Sequence, residues 1–247
     1  MKTFTIPGLE IEFKQHVSSQ SVSEDAYFLY LKAVQHIKGR SECATTGLDV
    51  ASRVPTDGQS EIATTGKVLD LGTGNGILLL MLAKDFKDMY FTGIEIVKDL
   101  CEVAVYNLEK MSEYFIRIIN YKILQANYTN LEDILFDEKY EIIISNPPYF
   151  PDKTGRMSTD IIRAISKFEL YATIRQLLQS IKKYLAYDGS SFIIFPFTRN
   201  EEFVANCKEL SLEINSYDFI DYTTKSFHVD LDKINSKTKV IYEVIHA

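Results

Sequence analysis

The chain has 247 residues, of which 46% are apolar and 25% are charged, and its net charge is −7. These values exclude a disordered or fibrous chain and fit either one large α/β domain or two small ones. No segment approaches the roughly 18 uncharged apolar residues that a membrane span needs, and the amino terminus lacks the apolar core of a signal peptide, so we expect a cytoplasmic protein without a membrane partner.

The cysteines and histidines follow no disulfide or metal-ligand spacing. The cysteines are odd in number and far apart, at Cys43, Cys101 and Cys207. We therefore expect no disulfide framework and no metal site. The acidic net charge argues against general coating of nucleic acid, although a local basic face can coexist with an acidic whole.

The first 38 residues predict a small unit made of a hairpin and a helix. Residues 3–13 alternate apolar and polar around the turn signal Pro7-Gly8, which is typical of a β-hairpin. The sequence predicts Ser23 as a helix N-cap, and acidic residues and helical apolar spacing follow it to about Lys38. Residues 39–66 are rich in small and polar residues, and we interpret them as a long flexible loop or insertion.

From residue 67 to residue 247, short apolar runs alternate with helical stretches. Predicted strands cover residues 67–71, 89–95, 121–126, 141–145 and 191–196, and two late strands cover about 214–222 and 239–246. Helical spacing occupies residues 75–85, 98–111, 161–186 and about 200–210. Such alternation indicates parallel strands with crossover helices. The predicted fold class is therefore α/β, with a doubly wound, mostly parallel, seven-stranded sheet.

A glycine-rich loop joins the first of these strands to its helix. The run VLDLGTGNG places Gly72, Gly74 and Gly76 where the backbone can approach a ligand closely and present free N–H groups. Glu95 ends the next strand, where an acid can accept hydrogen bonds from both hydroxyls of an adenosine ribose. Asp70 would repel a pyrophosphate but suits an ammonium or sulfonium group. The loop therefore favours S-adenosylmethionine over a dinucleotide as the cofactor.

The segment SNPPYF, residues 145–150, follows the fourth of these strands and should face the same crevice as the glycine-rich loop. Proline fixes its own φ and keeps its predecessor extended, so the oxygens of Asn146 and Pro147 have predetermined directions. Two such acceptors can bind both N–H groups of a planar amine and steer its lone pair toward a methyl sulfonium. Tyr149 offers a ring on which a planar substrate can stack. The predicted catalytic residues are Asn146, Pro147 and Tyr149, with Pro148 and Phe150 as substrate contacts.

The motifs DLGTGNG, GIE and SNPPYF resemble those of class I S-adenosylmethionine-dependent methyltransferases. With the amino-terminal EFKQ, Asp25 before a helix and the downstream RAISKFEL, the chain resembles the bacterial tRNA adenine N6-methyltransferases that modify valine tRNA beside the anticodon. This resemblance covers most of residues 11–210. In the wider family the residue after the third strand lies near the cofactor's adenine. The resemblance thus implies a cofactor-binding role for Asn127, although asparagine also suits a plain turn.

The NPPY motif leaves the methylated group open, because N6-adenine methyltransferases of DNA and RNA share it with glutamine methyltransferases of release factors. The latter have a separate helical domain before the catalytic domain, whereas only a hairpin and one helix are expected here. Residues 150–183 carry an excess of basic residues, and Lys153, Arg156 and Arg163 are candidate phosphate contacts. We therefore expect N6-adenine methylation of structured RNA, with tRNA as the partner. Protein glutamine methylation and cofactor binding without catalysis are the alternatives.

Overall fold

The computed structural model describes residues 1–6, 12–15, 24–46, 66–148, 172–227 and 234–247. Within these ranges the strands are β1 (Lys2–Thr5), β2 (Glu12–Gln15), β3 (Lys67–Leu71), β4 (Tyr90–Glu95), β5 (Tyr121–Gln125), β6 (Tyr140–Ser145), β7 (Leu185–Pro196), β8 (Leu212–Phe219) and β9 (Lys239–His246). The helices in the same ranges are α1 (Glu24–Thr46), α2 (Ile77–Asp85), α3 (Lys98–Phe115), α4 (Glu132–Leu135), α5 (Ile174–Tyr184) and α6 (Asn200–Glu209).

Seven of the strands form one sheet in the order β5-β4-β3-β6-β7-β9-β8. Strands β5, β4, β3, β6 and β7 pair in parallel. Strand β9 is antiparallel to both of its neighbours, β7 and β8. The predicted doubly wound, mostly parallel, seven-stranded sheet is confirmed.

Two hydrophobic cores cover the two faces of the sheet. Strand β6 shows why, because successive side chains of a strand point to opposite faces. Ile142 and Ile144 lie in the core shared with α1, α2 and α3, where Leu79 is completely buried. Ile143 lies in the opposite core, together with Leu177 of α5. The middle of β6 is therefore apolar at three successive positions, as expected for a strand that is covered on both faces.

The amino-terminal hairpin is a separate two-stranded sheet. Strands β1 and β2 pair antiparallel, with Lys2 opposite Gln15 and Thr5 opposite Glu12. This pairing agrees with the predicted hairpin, and the turn signal Pro7-Gly8 lies outside the described residues. Strand β2 packs on α3, and α1 packs on α2 and β7.

Helix α1 continues to Thr46, so the prediction that it ends at about Lys38 was wrong. Gly39 lowers helix stability by only about 1 kcal/mol relative to alanine. The next residue provides an anchor, because Arg40 Nη2 lies 2.8 Å from Asp188 Oδ2 of β7. This tertiary contact favours the additional turns. Of the predicted loop, residues 39–46 are helical and residues 47–65 lie outside the described ranges.

Strand β7 begins at Leu185, although the sequence predicts a strand only from residue 191. The register between β6 and β7 shifts between Tyr140 and Ile142, which marks an irregularity of the β-bulge type. Gly189 fits this point because an added Cβ would lie 3.0 Å from the carbonyl oxygens of Tyr140 and Glu141. The first half of the strand contains polar residues and this glycine, so the apolar pattern of the sequence did not predict it.

The remaining boundaries differ from the predictions by a few residues. Helix α3 runs past residue 111 to Phe115 and ends with Ile116 in the left-handed region, at φ 52°. Strand β8 covers Leu212–Phe219 rather than residues 214–222. Of the helix predicted over 161–186, Ile174–Tyr184 is helical and residues 161–171 lie outside the described part. None of the helices in the described ranges is long and apolar enough to cross a bilayer.

Candidate active site

Strands β3 and β6 are neighbours from which the chain continues in opposite directions along the sheet, to β4 and to β7. Doubly wound sheets bind ligands outside the carboxyl ends of the strands at such a switch point. Two segments leave these ends: the glycine loop, residues 72–76, and the NPP segment, residues 146–148. Ser145 Oγ donates a 2.7 Å hydrogen bond to Leu71 O, which joins the ends of the two strands.

The glycine loop has a left-handed backbone at Gly72, Gly74 and Gly76, with φ of 84°, 57° and 78°. Side chains are disfavoured in this conformation. The N–H groups of Gly72 and Thr73 both donate to Ile94 O at 2.9 Å, which fastens the loop to the end of β4. An added Cβ at Gly72 or Gly74 would meet no atom within 4 Å. The space beside these two glycines is therefore open to a ligand.

Glu95 ends β4 and is only 7% exposed. Its Oε2 accepts the N–H of Gly74 and its Oε1 accepts the N–H of Val97, both at 2.9 Å. Burial raises the pKa of Glu95, and the backbone hydrogen bonds from Val97, Gly74 and Ile96 oppose that rise. A carboxylate has about four acceptor positions. Each oxygen can therefore accept a further hydrogen bond, as the two hydroxyls of a ribose require.

Asp70 in β3 is 1% exposed, and neither of its carboxyl oxygens has a hydrogen-bond partner among the described residues. Burial raises the pKa of Asp70 to about 7, the nearby Thr73 hydroxyl lowers it, and the charge of Glu95 raises it further. The Thr73 hydroxyl also lacks a well-formed hydrogen bond within the described part, so proximity explains its influence. A buried carboxylate without a partner is costly until a cation pairs with it. Asp70 therefore suits a cationic group of a ligand.

Asn127 follows β5 at the same edge of the sheet. The N–H of Ala126 donates to Glu95 O at 2.9 Å, which holds this segment beside the end of β4. Asn127 Oδ1 accepts the N–H of Thr129 at 3.0 Å, so the side chain caps its own turn. The structure therefore shows the turn role directly and places Asn127 next to the end of the strand that carries Glu95.

The NPP segment is fixed at its middle residue. Pro147 is buried, whereas Asn146 and Pro148 are half-buried. The two prolines line a narrow crevice together with Tyr128, Ala172, Thr173, Ile174, Leu177 and Phe195. Five predicted site residues lie outside the described ranges: Tyr149, Phe150, Lys153, Arg156 and Arg163.

Residues 150–183 were predicted to face a nucleic acid. Three basic residues of this region form contacts with other groups of the protein. Lys182 Nζ donates to Leu210 O at 2.6 Å, and Lys183 Nζ lies 2.6 Å from Glu132 Oε1. Arg175 forms an ion pair with Glu209. The three side chains therefore already have partners within the protein.

Two polar residues of the site region did not stand out in the sequence. Ser145 is the last residue of β6, and Asn107 lies in α3 among core residues; both are 0% exposed. A polar residue at a position that the local pattern assigns to the core is a signal that could have identified each of them. Among the described residues, no group of three His, Cys, Asp or Glu side chains could bind a metal ion.

A comparison with protein-family models matches residues 43–196 to the family described as methyltransferase small domain. The matched range contains the glycine loop, Glu95 and the NPP segment. Among solved structures, SMU.776, which is assigned as a methyltransferase and was solved in complex with SAH, is similar with a TM-score of 0.51 at 14% identity. The similarity covers 72% of this chain and 44% of that chain, and it concerns the fold.

Two curated relatives carry the same name. The tRNA1(Val) (adenine(37)-N6)-methyltransferase of Parabacteroides distasonis is 31% identical over 189 residues, which cover 75% of this chain and 73% of that relative. The protein of the same name from Christiangramia forsetii is 31% identical over 137 residues, which cover 55% of this chain and 54% of that relative. The matched part therefore spans just over half of the second relative.

Proposed function

Because the chain belongs to the methyltransferase small domain family of class I S-adenosylmethionine-dependent methyltransferases, we propose that it methylates N6 of an adenine in structured RNA, specifically tRNA. The observation that carries this proposal is the hydrogen bond between Ser145 and Leu71, which brings the glycine loop and the NPP segment together. In this proposal the NPP segment supplies acceptors for the amine, and the glycine loop beside it binds the methyl donor.

The residues around the glycine loop fit S-adenosylmethionine. Both carboxyl oxygens of Asp70 are buried and lack hydrogen-bond partners within the described part, so they can pair with the positive charge of the methionine portion. Glu95 retains acceptor positions for the ribose hydroxyls. The open space at Gly72 and Gly74 lets the backbone approach the ligand. In this proposal Asn127, which follows β5, contacts the adenine ring. When bound, this cofactor supplies an electrophilic methyl group.

The NPP segment fits the amine of the substrate. The exocyclic amino group of adenine is a poor nucleophile because its lone pair is delocalised into the ring. The Asn146 side-chain oxygen and the Pro147 carbonyl can accept its two N–H groups and stabilise the positive charge that develops on nitrogen. The buried ring of Pro147 and the Ser145 hydrogen bond hold these acceptors in advance, so little reorganisation is needed. Tyr149, in this proposal, stacks on the base.

The names of the relatives support tRNA as the substrate. Both relatives described above carry a name that specifies adenine N6 in a valine tRNA, at 31% identity. The geometry of Asn146 and Pro147 alone specifies only a planar NH2 group, so an amide of protein glutamine would also fit. For phosphate contacts we propose Lys153, Arg156 and Arg163, because they follow the NPP segment and would lie near a bound polynucleotide.

Transfer of a labelled methyl group tests this proposal. The full chain is incubated with methyl-labelled S-adenosylmethionine and either deproteinised total tRNA or a ribosome-free protein extract. We expect label in tRNA. Label that appears only in protein would replace the proposal with glutamine methylation, and label in neither acceptor, despite cofactor binding, would indicate a cofactor-binding protein without this activity.

A further inference from the structure

Asn107 in α3 is completely buried and joins two segments that are far from it in sequence. Its Oδ1 accepts the N–H of Lys14 at 2.7 Å, and its Nδ2 donates to Lys14 O at 2.9 Å. The same Nδ2 also donates to Asn75 O at 3.0 Å. Both N–H bonds of the amide are thus used. One side chain therefore links β2 of the amino-terminal hairpin to the glycine loop.

Two further contacts lie beside this link. Gly76 lies against Ala104, which is about one turn before Asn107 in α3, because an added Cβ on Gly76 would be only 3.2 Å from Ala104 Cβ. On the hairpin side, the Lys14 ammonium lies 3.5 Å from the centroid of the Tyr106 ring, which is a cation–π contact. The turn of α3 from Ala104 to Asn107 is therefore in contact with the glycine loop and with the hairpin at the same time.

We propose that Asn107 is a positioning residue that couples docking of the amino-terminal hairpin to cofactor binding at the glycine loop. The proposal rests on the proposed cofactor site and adds the hairpin to it. Removing the amide would take the side-chain partner from three backbone groups: Asn75 O, which is buried, and Lys14 O and the N–H of Lys14, which are partly buried. A loop that is held before binding loses less conformational freedom when the ligand binds, so the ligand binds more tightly.

The coupling must be reciprocal. If hairpin docking raises cofactor affinity, cofactor binding stabilises the docked hairpin by the same factor. The N–H of Lys14 reports this stabilisation directly, because its hydrogen-bond acceptor is Asn107 Oδ1. A residue that only filled the core would not transmit ligand binding from the glycine loop to the hairpin.

Hydrogen exchange of the full chain, with and without SAH, is the first test. We expect SAH to slow exchange in the glycine loop and also at Lys14. In Asn107→Leu, exchange at Lys14 should be fast in both states, and the Kd for SAH should rise about tenfold, which lies within the usual range of coupling between sites. The matched control is Lys14→Met, which removes the ammonium but keeps both backbone bonds to Asn107; its Kd should stay within about twofold of the parent value.

The outcomes separate this inference from the proposed function. Protection of the glycine loop without any change at Lys14 would overturn the coupling and leave the cofactor site intact, as would an unchanged Kd in folded Asn107→Leu. No protection of the glycine loop would overturn the cofactor site and the coupling together. The exchange experiment on the parent chain decides between these results even if Asn107→Leu fails to fold.

Discussion

Ser145 and Leu71 connect the two halves of the candidate site through a single side chain. Ser145 Oγ donates to Leu71 O at 2.7 Å, and both residues are 0% exposed. Paired residues of β3 and β6 end at Asp70 and Ile144, so the serine extends the contact between the strands by one residue. Asn146 and the glycine loop therefore begin at adjacent points of the sheet edge.

Ser145→Ala should reduce kcat more than it reduces cofactor binding. The substitution removes the donor to a buried carbonyl, which costs about 1–3 kcal/mol of stability. It also frees the NPP segment, and small misplacements of substrate-positioning groups can cost about a hundredfold in rate. Steady-state kinetics should show a fall in kcat with the KM for S-adenosylmethionine nearly unchanged.

The control for this prediction is Ser190→Ala. Ser190 of strand β7 is also buried, and its hydroxyl donates to Glu243 Oε1 of strand β9 at 2.9 Å. Its loss should lower stability without a matching fall in kcat. Equal falls in kcat for the two variants would show that the effect at Ser145 is one of general stability.

The raised pKa of Asp70 predicts that cofactor affinity depends on pH. Burial holds this pKa at about 7, so the carboxyl group is partly protonated at neutral pH. A cationic ligand prefers the ionised form, so the affinity for S-adenosylmethionine should rise between about pH 6 and pH 8. Asp70→Asn should bind more weakly and lose this dependence in calorimetric titrations. A pH slope that persists in the variant would assign the titration to another group.

The same pKa predicts the opposite trend for stability without ligand. The folded pKa of about 7 exceeds the ordinary value of 3.8, so the folded protein holds this proton more tightly than the unfolded chain. The contribution of Asp70 to stability is therefore complete below about pH 4 and is lost as the pH rises through 7. Ligand-free Asp70→Asn should be more stable than the parent at about pH 8, with the difference disappearing near pH 4, in urea unfolding. A less stable variant at pH 8 would contradict the assigned burial cost.

Gly74→Ala should weaken cofactor binding more than it weakens the fold. The left-handed backbone, at φ 57°, costs an alanine about 1–2 kcal/mol. The added methyl group would occupy the open space beside the loop, so we expect the Kd for SAH to rise at least tenfold.

Gly39→Ala is the control for this prediction. An added Cβ at Gly39 also meets no atom within 4 Å, but Gly39 lies in helix α1. It should gain about 0.5–1 kcal/mol of stability and keep the parent affinity. Unchanged affinity in folded Gly74→Ala would exclude the open space as the cofactor site.

Glu243 on β9 predicts an acid-sensitive contribution to stability. Its carboxylate lies 3.5 Å from His36 Nδ1 and accepts hydrogen bonds from Ser216, Asn215 and Ser190 at 2.7, 3.0 and 2.9 Å. The His36 contact and these three bonds outweigh burial and lower the pKa of Glu243 to about 2. Because the folded pKa is depressed, this stability is present above the ordinary value of 4.5 and is lost as the pH falls toward 2.

Glu243→Gln should therefore destabilise the protein at about pH 7 and much less at about pH 3, as measured by urea unfolding. Methyl transfer at neutral pH should persist wherever the variant is folded, because the cluster belongs to the packing of α1 on the sheet. An equal loss of stability at both pH values would show that the charge of Glu243 makes no contribution.

Local patterns predicted the sheet and the segments of the site, whereas contacts across the sequence were not predictable. The glycine loop, Glu95 and the NPP segment are short runs whose chemistry is visible in neighbouring residues. By contrast, the partners of Ser145 and Asn107 are 74 and 93 positions away. The contact between Arg40 of α1 and Asp188 likewise joins residues that are 148 positions apart. Local residue propensities carry no information about such contacts. Only the folded chain therefore shows which buried polar residues connect the segments of the site.

The most direct test of the central claim identifies the methylated nucleoside. Labelled tRNA is digested to nucleosides after reaction with the parent chain, with Asn146→Ala and with Asn206→Ala, a control that removes an amide of helix α6. We predict label in N6-methyladenosine for the parent and for Asn206→Ala, and a loss of rate of roughly a hundredfold or more for Asn146→Ala, with SAH binding retained. Label in another nucleoside, or an unimpaired rate in Asn146→Ala, would contradict the account.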